Sequence, residues 1–362
     1  MKAPFYDWRT WRRVLLKAVL CLLICDALFI VLRPLDRLMP LSLFGSLLPY
    51  RTRIAIPERD VTGQLVPLET LLNAHIISRP KAANEYRVII LGDSGINGWG
   101  NRDSETINAY LEAAGKTLGG KTIRAYNLAA LGPSVSRDLV IADAALAYQP
   151  DLIVWFVTLQ SFHDATPDRL LEFNQPRLTR LTQQFKLNDV NARTYGHYEA
   201  VWWQRSILMQ RTTLYRWLSF QAYSLRQGQF LGIYPLAQTD PIPASPVIAI
   251  DDPAYTPMPN AAWAALTALP QLTHSPILIV NEPIMIVKGS PANYNEFNGR
   301  EIYDLYRSTF NRTCTDQRLW CMDLWDLLPM SEYTDSPLHR TAQGNAAIAT
   351  RVMNEIGGVL DK

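Results

Sequence analysis

The segment that most restricts the fold is Val88-Ile89-Ile90-Leu91-Gly92-Asp93-Ser94-Gly95. Four large aliphatics in a row, with no polar alternation, predict a strand buried on both faces, as in a parallel sheet covered by helices on either side. Gly92 and Gly95 let the chain turn sharply at the strand's carboxyl end, where open α/β sheets keep their chemistry. A serine on such a turn, followed by residues able to start a helix, exposes its hydroxyl and frees its backbone N–H to stabilise an oxyanion. Ser94 is therefore a candidate nucleophile. Taken alone, Gly-Asp-Ser also fits an ordinary strand-to-helix turn with Ser94 as its cap, so the rest of the chain has to decide.

The same rhythm repeats along the sequence. Strands are predicted at 122–127, 151–157, 276–281 and 319–324, and helices at 104–114, 135–148, 261–269, 301–310 and 342–356. Such alternation builds one parallel sheet with helices on both faces. It breaks between about residues 162 and 251, where residues 198–220 read as a helical region with Trp202, Trp203, Trp217 and Phe220 among Arg205, Arg211 and Arg216. The expected organisation is a cytoplasmic tail and anchor at 1–33, a membrane-proximal connector at 34–85, and one α/β domain at 86–360 with a mostly helical insertion at about 162–251. A chain of 362 residues that is 48% hydrophobic can bury such a core, and a net charge of +2 argues against nucleic acid as a partner.

Residues 14–32 are long and apolar enough to cross a bilayer as a helix, although Lys17 and Asp26 interrupt them. Lys17 can snorkel to the near interface, whereas Asp26 sits deeper and needs a partner or a proton. Lys2, Arg9, Arg12, Arg13 and Lys17 at the start outnumber Arg33 and Arg37 after the end, which puts the N-terminus in the cytoplasm and the large domain outside. A cleavable signal would want small residues after the apolar stretch, and Arg33-Pro34-Leu35-Asp36 follows instead. Outside the cytoplasm Cys314 and Cys321 meet an oxidising environment, where a short-loop disulfide and a free buried pair both fit the sequence.

Three pieces now stand at strand ends in a telling order. Gly92-Asp93-Ser94 follows the first strand, and Asn127 and Gly132 follow the second. Asp335-Ser336-Pro337-Leu338-His339 precedes the last helix, with Arg340-Thr341-Ala342-Gln343-Gly344 after it. In that order they resemble the SGNH, or GDSL-type, hydrolase superfamily, over about residues 87–356 without the insertion. The resemblance implies a three-layer α/β/α flavodoxin-like parallel sheet and a serine esterase, lipase or carbohydrate deacetylase that needs no cofactor. It further implies Ser94 as nucleophile, Gly132 as an oxyanion donor through its N–H beside that of Ser94, His339 as general base and Asp335 behind it. The chemistry agrees: a serine hydroxyl is inert until an imidazole takes its proton, and a carboxylate fixes which ring nitrogen does so.

Two departures from the family pattern bear on the site. Thr158-Leu159-Gln160-Ser161 stands where the family shows Gly-x-Asn-Asp, so Gln160 would supply the third oxyanion donor on a longer arm. The acid is displaced, since Ser336 occupies the Asp-x-x-His slot and Asp335 lies one residue earlier; Glu282, at the end of the fourth strand, is the alternative acid, and a backbone carbonyl orienting His339 is a third option. His163 and Asp164 look like a pair beside the insertion, and no metal-ligand spacing occurs. The expected function is a membrane-anchored, extracytoplasmic serine esterase or deacylase acting on an acylated envelope glycan or lipid, or another small-molecule ester. An O-acyltransferase using the same Ser-His site, or a non-catalytic accessory of a membrane acyltransferase complex, are the rival readings.

Overall fold

The structure, a computed structural model, describes residues 7–38, 41, 43, 50–54, 68–162, 168–188, 190–196, 201–228, 263–285 and 298–360. His163 and Asp164 lie outside the described residues. The strands are β1 (Glu85–Leu91), β2 (Thr117–Leu118), β3 (Lys121–Asn127), β4 (Leu152–Val157), β5 (Ile277–Asn281) and β6 (Trp320–Asp323). The principal helices are α1 (Trp8–Leu32), α2 (Leu68–Ala74), α3 (Ser94–Asn97), α4 (Ile107–Ala113), α5 (Val135–Ala145), α6 (Gln175–Phe185), α7 (Ile207–Gly228), α8 (Trp263–Leu272), α9 (Asn298–Asp316) and α10 (Ala342–Leu360).

The sheet order is β2-β3-β1-β4-β5-β6. Every pairing is parallel except that of β2, a two-residue antiparallel edge on β3 that the sequence did not announce. Among the parallel strands the order is the flavodoxin-like one, with the direction of winding reversing beside β1. That reversal opens a crevice at the carboxyl end of β1, directly before Ser94.

Strand residues alternate between two cores. Ile89, Leu91, Ile153, Trp155, Val157, Ile277 and Ile279 face the layer of α2, α5, α6, α8 and α9. Val88, Ile90, Leu152, Val154, Phe156, Leu278 and Val280 face α4 and α10. Both faces are covered, so the aliphatic runs need no polar alternation, and each fully buried side chain of this kind stabilises by roughly 1.5–3 kcal/mol.

Several boundaries differ from the sequence expectation. Residues 68–78 were assigned to a connector, yet Leu68, Leu71, Leu72 and Ile77 are buried in the domain's own core. The first part of the insertion also joins that core through Leu170, Leu171, Leu178 and Leu181. Short amphipathic segments flanked by irregular chain carry too little periodicity to reveal this. The expected helix at 104–114 is a single 3₁₀ turn at Asp103–Glu105 followed by α4. Near its C-terminus, Cys314 at the end of α9 is disulfide-bonded to Cys321 in β6. At the other end of the chain, α1 is long and apolar enough to span a membrane and buries none of its residues.

Candidate active site

Ser94 opens the one-turn helix α3 but is not its cap. Asp93 caps it, accepting at Oδ1 from the N–H of Gly95 at 2.8 Å and of Ile96 at 3.4 Å. The serine hydroxyl is thereby left for a partner across the crevice, and Ser94 Oγ lies 2.9 Å from His339 Nε2. Gly95 permits the approach: a Cβ there would meet Leu338 O at 2.2 Å and Arg340 Nη1 at 2.9 Å.

The segment bearing His339 is a closed loop. Tyr333 and Arg340 form an antiparallel bridge, and Thr334 N donates to His339 O at 2.9 Å. Within it, Leu338 N donates to Ser336 Oγ at 3.1 Å and His339 N to Ser336 O at 3.3 Å, so Ser336 nucleates a tight turn. That turn absorbs the extra residue between acid and base. Asp335 Oδ1 reaches His339 Nδ1 at 2.7 Å, and Thr334 Oγ1 donates to the same oxygen at 3.2 Å. An N–H at Nδ1 bound to the carboxylate leaves Nε2 as the acceptor for the Ser94 hydroxyl. Trp99 stacks on the imidazole, with ring centroids 5.1 Å apart and planes inclined by 10°. Nothing in the local pattern of the polar loop at 97–101 marks Trp99 for this contact, which only the tertiary fold creates.

Glu282 does not touch the imidazole's ring nitrogens. It directly follows β5, fully buried and bonded to Arg340 Nη2, which also donates to Pro283 O at 3.0 Å. Burial, and then the charge of the neighbouring Asp93 carboxylate, raise the Glu282 pKa well above the ordinary value of 4.5, against the pull of Arg340. One buried guanidinium faces the two buried carboxyls of Glu282 and Asp93. Asp93 Oδ1 is tied to two backbone N–H groups, and its Oδ2 has no hydrogen-bond partner among the described residues.

A second set of buried amides fixes the same turn. Asn127, at the end of β3, donates through Nδ2 to Ile96 O and Asn108 Oδ1, both at 3.1 Å, and accepts from Ala129 N at 3.1 Å. Asn97 Nδ2 donates to Ala129 O at 2.8 Å, and Asn101 Nδ2 to Arg340 O at 2.8 Å. These bonds lace the turns after β1 and β3 to the His339 loop. Arg137 adds a further tie by donating to Leu131 O and, at 3.3 Å, to Gly92 O. Gly132 sits in that second turn with a φ of 74°, which suits glycine. Gln160 lies in the 3₁₀ turn Leu159–Phe162, which is closed by Thr158 N donating to Ser161 Oγ at 3.0 Å. Ser94, Gly132 and Gln160 thus follow the carboxyl ends of β1, β3 and β4, three strands adjacent in the sheet.

No protein-family model matches the chain, and no curated protein matches it. Among solved structures it is similar to an active-site mutant of a family two carbohydrate esterase from Clostridium thermocellum, at 11% identity over 78% of this chain and 65% of that one, with a TM-score of 0.35. It is also similar to Est24, a carbohydrate acetylesterase from Sinorhizobium meliloti, at 12% identity over 75% of this chain and 99% of that one, with a TM-score of 0.37. A third is the psychrotrophic esterase EstA from Pseudoalteromonas sp., at 13% identity over 76% of this chain and 100% of that one, with a TM-score of 0.38. The chain spans just under two thirds of the length of the first of these.

Proposed function

We propose that this chain is an SGNH-type serine esterase or deacylase working through an acyl-enzyme. The observation that carries the reading is the continuous relay Ser94 Oγ, His339 Nε2, His339 Nδ1 and Asp335 Oδ1, with heavy-atom separations of 2.9 and 2.7 Å. In this reading His339 takes the Ser94 proton as Oγ attacks the ester carbonyl, then returns it to the departing alcohol oxygen as the C–O bond breaks. Water repeats the sequence on the acyl-serine, releasing the acid and restoring the hydroxyl. The N–H groups of Ser94 and Gly132, with the Gln160 side chain, are the proposed oxyanion donors. Asp335 orients the base, and Trp99 limits the tilt of its ring.

The same proposal places the enzyme on the outer side of a membrane, held by residues 14–32. The apolar length of α1, the excess of Lys and Arg ahead of it and the Cys314–Cys321 bond support that placement. An enzyme so tethered meets acylated envelope glycans and lipids at high local concentration, and these are the substrates proposed. A complete relay is more than an accessory domain requires, and it weighs for catalysis.

The test is Ser94→Ala on a short acyl ester. Hydrolysis is expected to fall by ~10³-fold or more, with the unfolding midpoint kept, since a crevice hydroxyl on a rigid turn contributes little to stability. Activity within a few-fold of the parent on equally folded protein would remove the catalytic reading.

A further inference from the structure

The insertion carries a helix whose features neither the fold nor the proposed chemistry uses. In α7, Leu208, Tyr215, Leu218 and Leu225 are exposed by 69%, 70%, 52% and 51%. Their spacings of seven, three and seven place them on one side of the helix. Val201, Trp202 and Trp203, just ahead of α7, are exposed as well. So many large apolar side chains exposed together mark a site that something covers.

The bonds that α7 makes to distant parts of the chain say what covers it. Asp26, the acidic residue inside the apolar α1, accepts at Oδ1 from Ile207 N at 2.7 Å, so the intramembrane carboxylate that needed a partner caps the first turn of α7. Further along, Trp217 Nε1 donates to Leu41 O at 3.2 Å and Gln221 Oε1 accepts from Leu43 N at 2.8 Å. Every one of these ties runs to α1 or to the chain that leaves it. Asp26 stands six residues before the end of α1, about 9 Å along the axis, which is interface depth for a helix of this length. Tryptophans ahead of an apolar stripe, with arginines that can snorkel from it, are what an interfacial helix presents to headgroups; Trp202, Trp203 and Arg205 stand ahead of α7, and exposed Arg211 stands on the stripe between Leu208 and Tyr215.

We propose that residues 201–225 form a second membrane-contacting element, with the Leu208, Tyr215, Leu218 and Leu225 stripe bedded in the outer leaflet next to α1. The occupant of the stripe is lipid, and the surface is continuous with that of the span. The inference rests on the reading of α1 as a membrane anchor. It holds the crevice near the bilayer surface and narrows the substrate to an ester carried by, or lying against, lipid.

The experiment uses the full chain in phosphatidylcholine–phosphatidylglycerol vesicles, with single thiols labelled by an environment-sensitive fluorophore. Lipids carrying a shallow nitroxide serve as the quencher for α7 and Lys116→Cys, and lipids carrying a nitroxide deep in the acyl chain for Cys21, which stands eleven residues before the end of α1, ~16 Å along the axis and so near the bilayer centre. One probe is native Cys21 in a Cys25→Ser background. The others are Leu208→Cys, Leu218→Cys and Leu225→Cys, with Lys116→Cys on the domain surface as reference, all lacking Cys21 and Cys25. Unfolding midpoints matched to the parent qualify each variant. The α7 probes are expected to be quenched at least about two-fold more than Lys116→Cys, as befits a face ~5–10 Å inside the headgroup boundary. Quenching of Cys21 with none at α7 overturns this inference and leaves the anchor standing. Cross-linking of the α7 thiols to a second copy, without quenching, also overturns it and assigns the stripe to protein. Absence of quenching at Cys21 removes the anchor, and the inference falls with it.

Discussion

Two carboxylates flank the loop that carries His339, and they occupy opposite environments. Asp335 is 38% exposed and meets an imidazole; Glu282 is 1% exposed and meets a guanidinium. Each meets a nitrogen donor, so the partner atom alone does not separate them. Environment does. Solvent supports charge on a carboxylate at little cost, whereas burial beside a second carboxyl favours the protonated form. In the proposed reading the crevice divides its work: the Asp335–His339 pair addresses the reacting atoms, and the buried cluster of Glu282, Arg340 and Asp93 holds the turn on which Ser94 sits.

The largest expected effect tests the exposed side. His339→Ala should lower turnover of a short acyl ester by ~10⁴-fold or more, with the unfolding midpoint close to that of the parent. A large loss of stability instead would mean that the exposed pair is structural too, and the contrast would collapse.

Next comes the buried side. Arg340→Ala strands Glu282 and Asp93 without their cation, and breaking a buried pair in this way costs ~3–5 kcal/mol. Denaturant unfolding reads it directly. A change below about 1 kcal/mol, within the range of an ordinary surface substitution, would show that the cluster is solvated and not the support inferred here.

Asp335→Asn sharpens the comparison from the other direction. Orienting the imidazole is worth less than being the base, so kcat/KM should fall by ~10²–10³-fold, less than in His339→Ala, with stability unchanged. If Asp335→Asn left the rate alone while Glu282→Gln abolished it, the two carboxylates would exchange roles.

The smallest effect is expected for Glu282→Gln, which keeps an acceptor for Arg340 and a donor for Asp93. Turnover should stay within a few-fold of the parent. The pH dependence carries the sharper signal. Glu282 has a raised pKa in the folded chain, so it keeps a proton that the unfolded chain releases above the ordinary value of 4.5. Its contribution to stability is therefore fully present at low pH and declines as pH rises through and beyond that value. Glu282→Gln should flatten the decline, and urea unfolding at a series of pH values above 5 would show whether it does.

Much of this site is written in local sequence, because strands buried on both faces and glycine turns are local facts. The run from Val88 to Leu91 ending in Gly-Asp-Ser marked both a central strand and a candidate nucleophile. Five parallel strands at roughly the expected positions followed from aliphatic runs that no amphipathic element would tolerate. His339 stands as a candidate base from its place ahead of the last helix, and the structure brings it to Ser94.

What the sequence could not rank were contacts between segments far apart in the chain. Asp335 is the acid the sequence offers and Glu282 its alternative; which of them meets His339 lies in a turn at Ser336 that takes up one residue and in the burial of Glu282 just beyond β5. Trp99 over His339, Asn127 under α3 and Asp26 capping α7 are likewise absent from any local pattern, because each exists only once two distant elements are packed. Periodicity and turn chemistry act over a few residues, and they fix where strands end and which side chains are offered there. Which of those side chains meet, and with what charge, depends on burial and distance, and these are properties of the assembled layers alone.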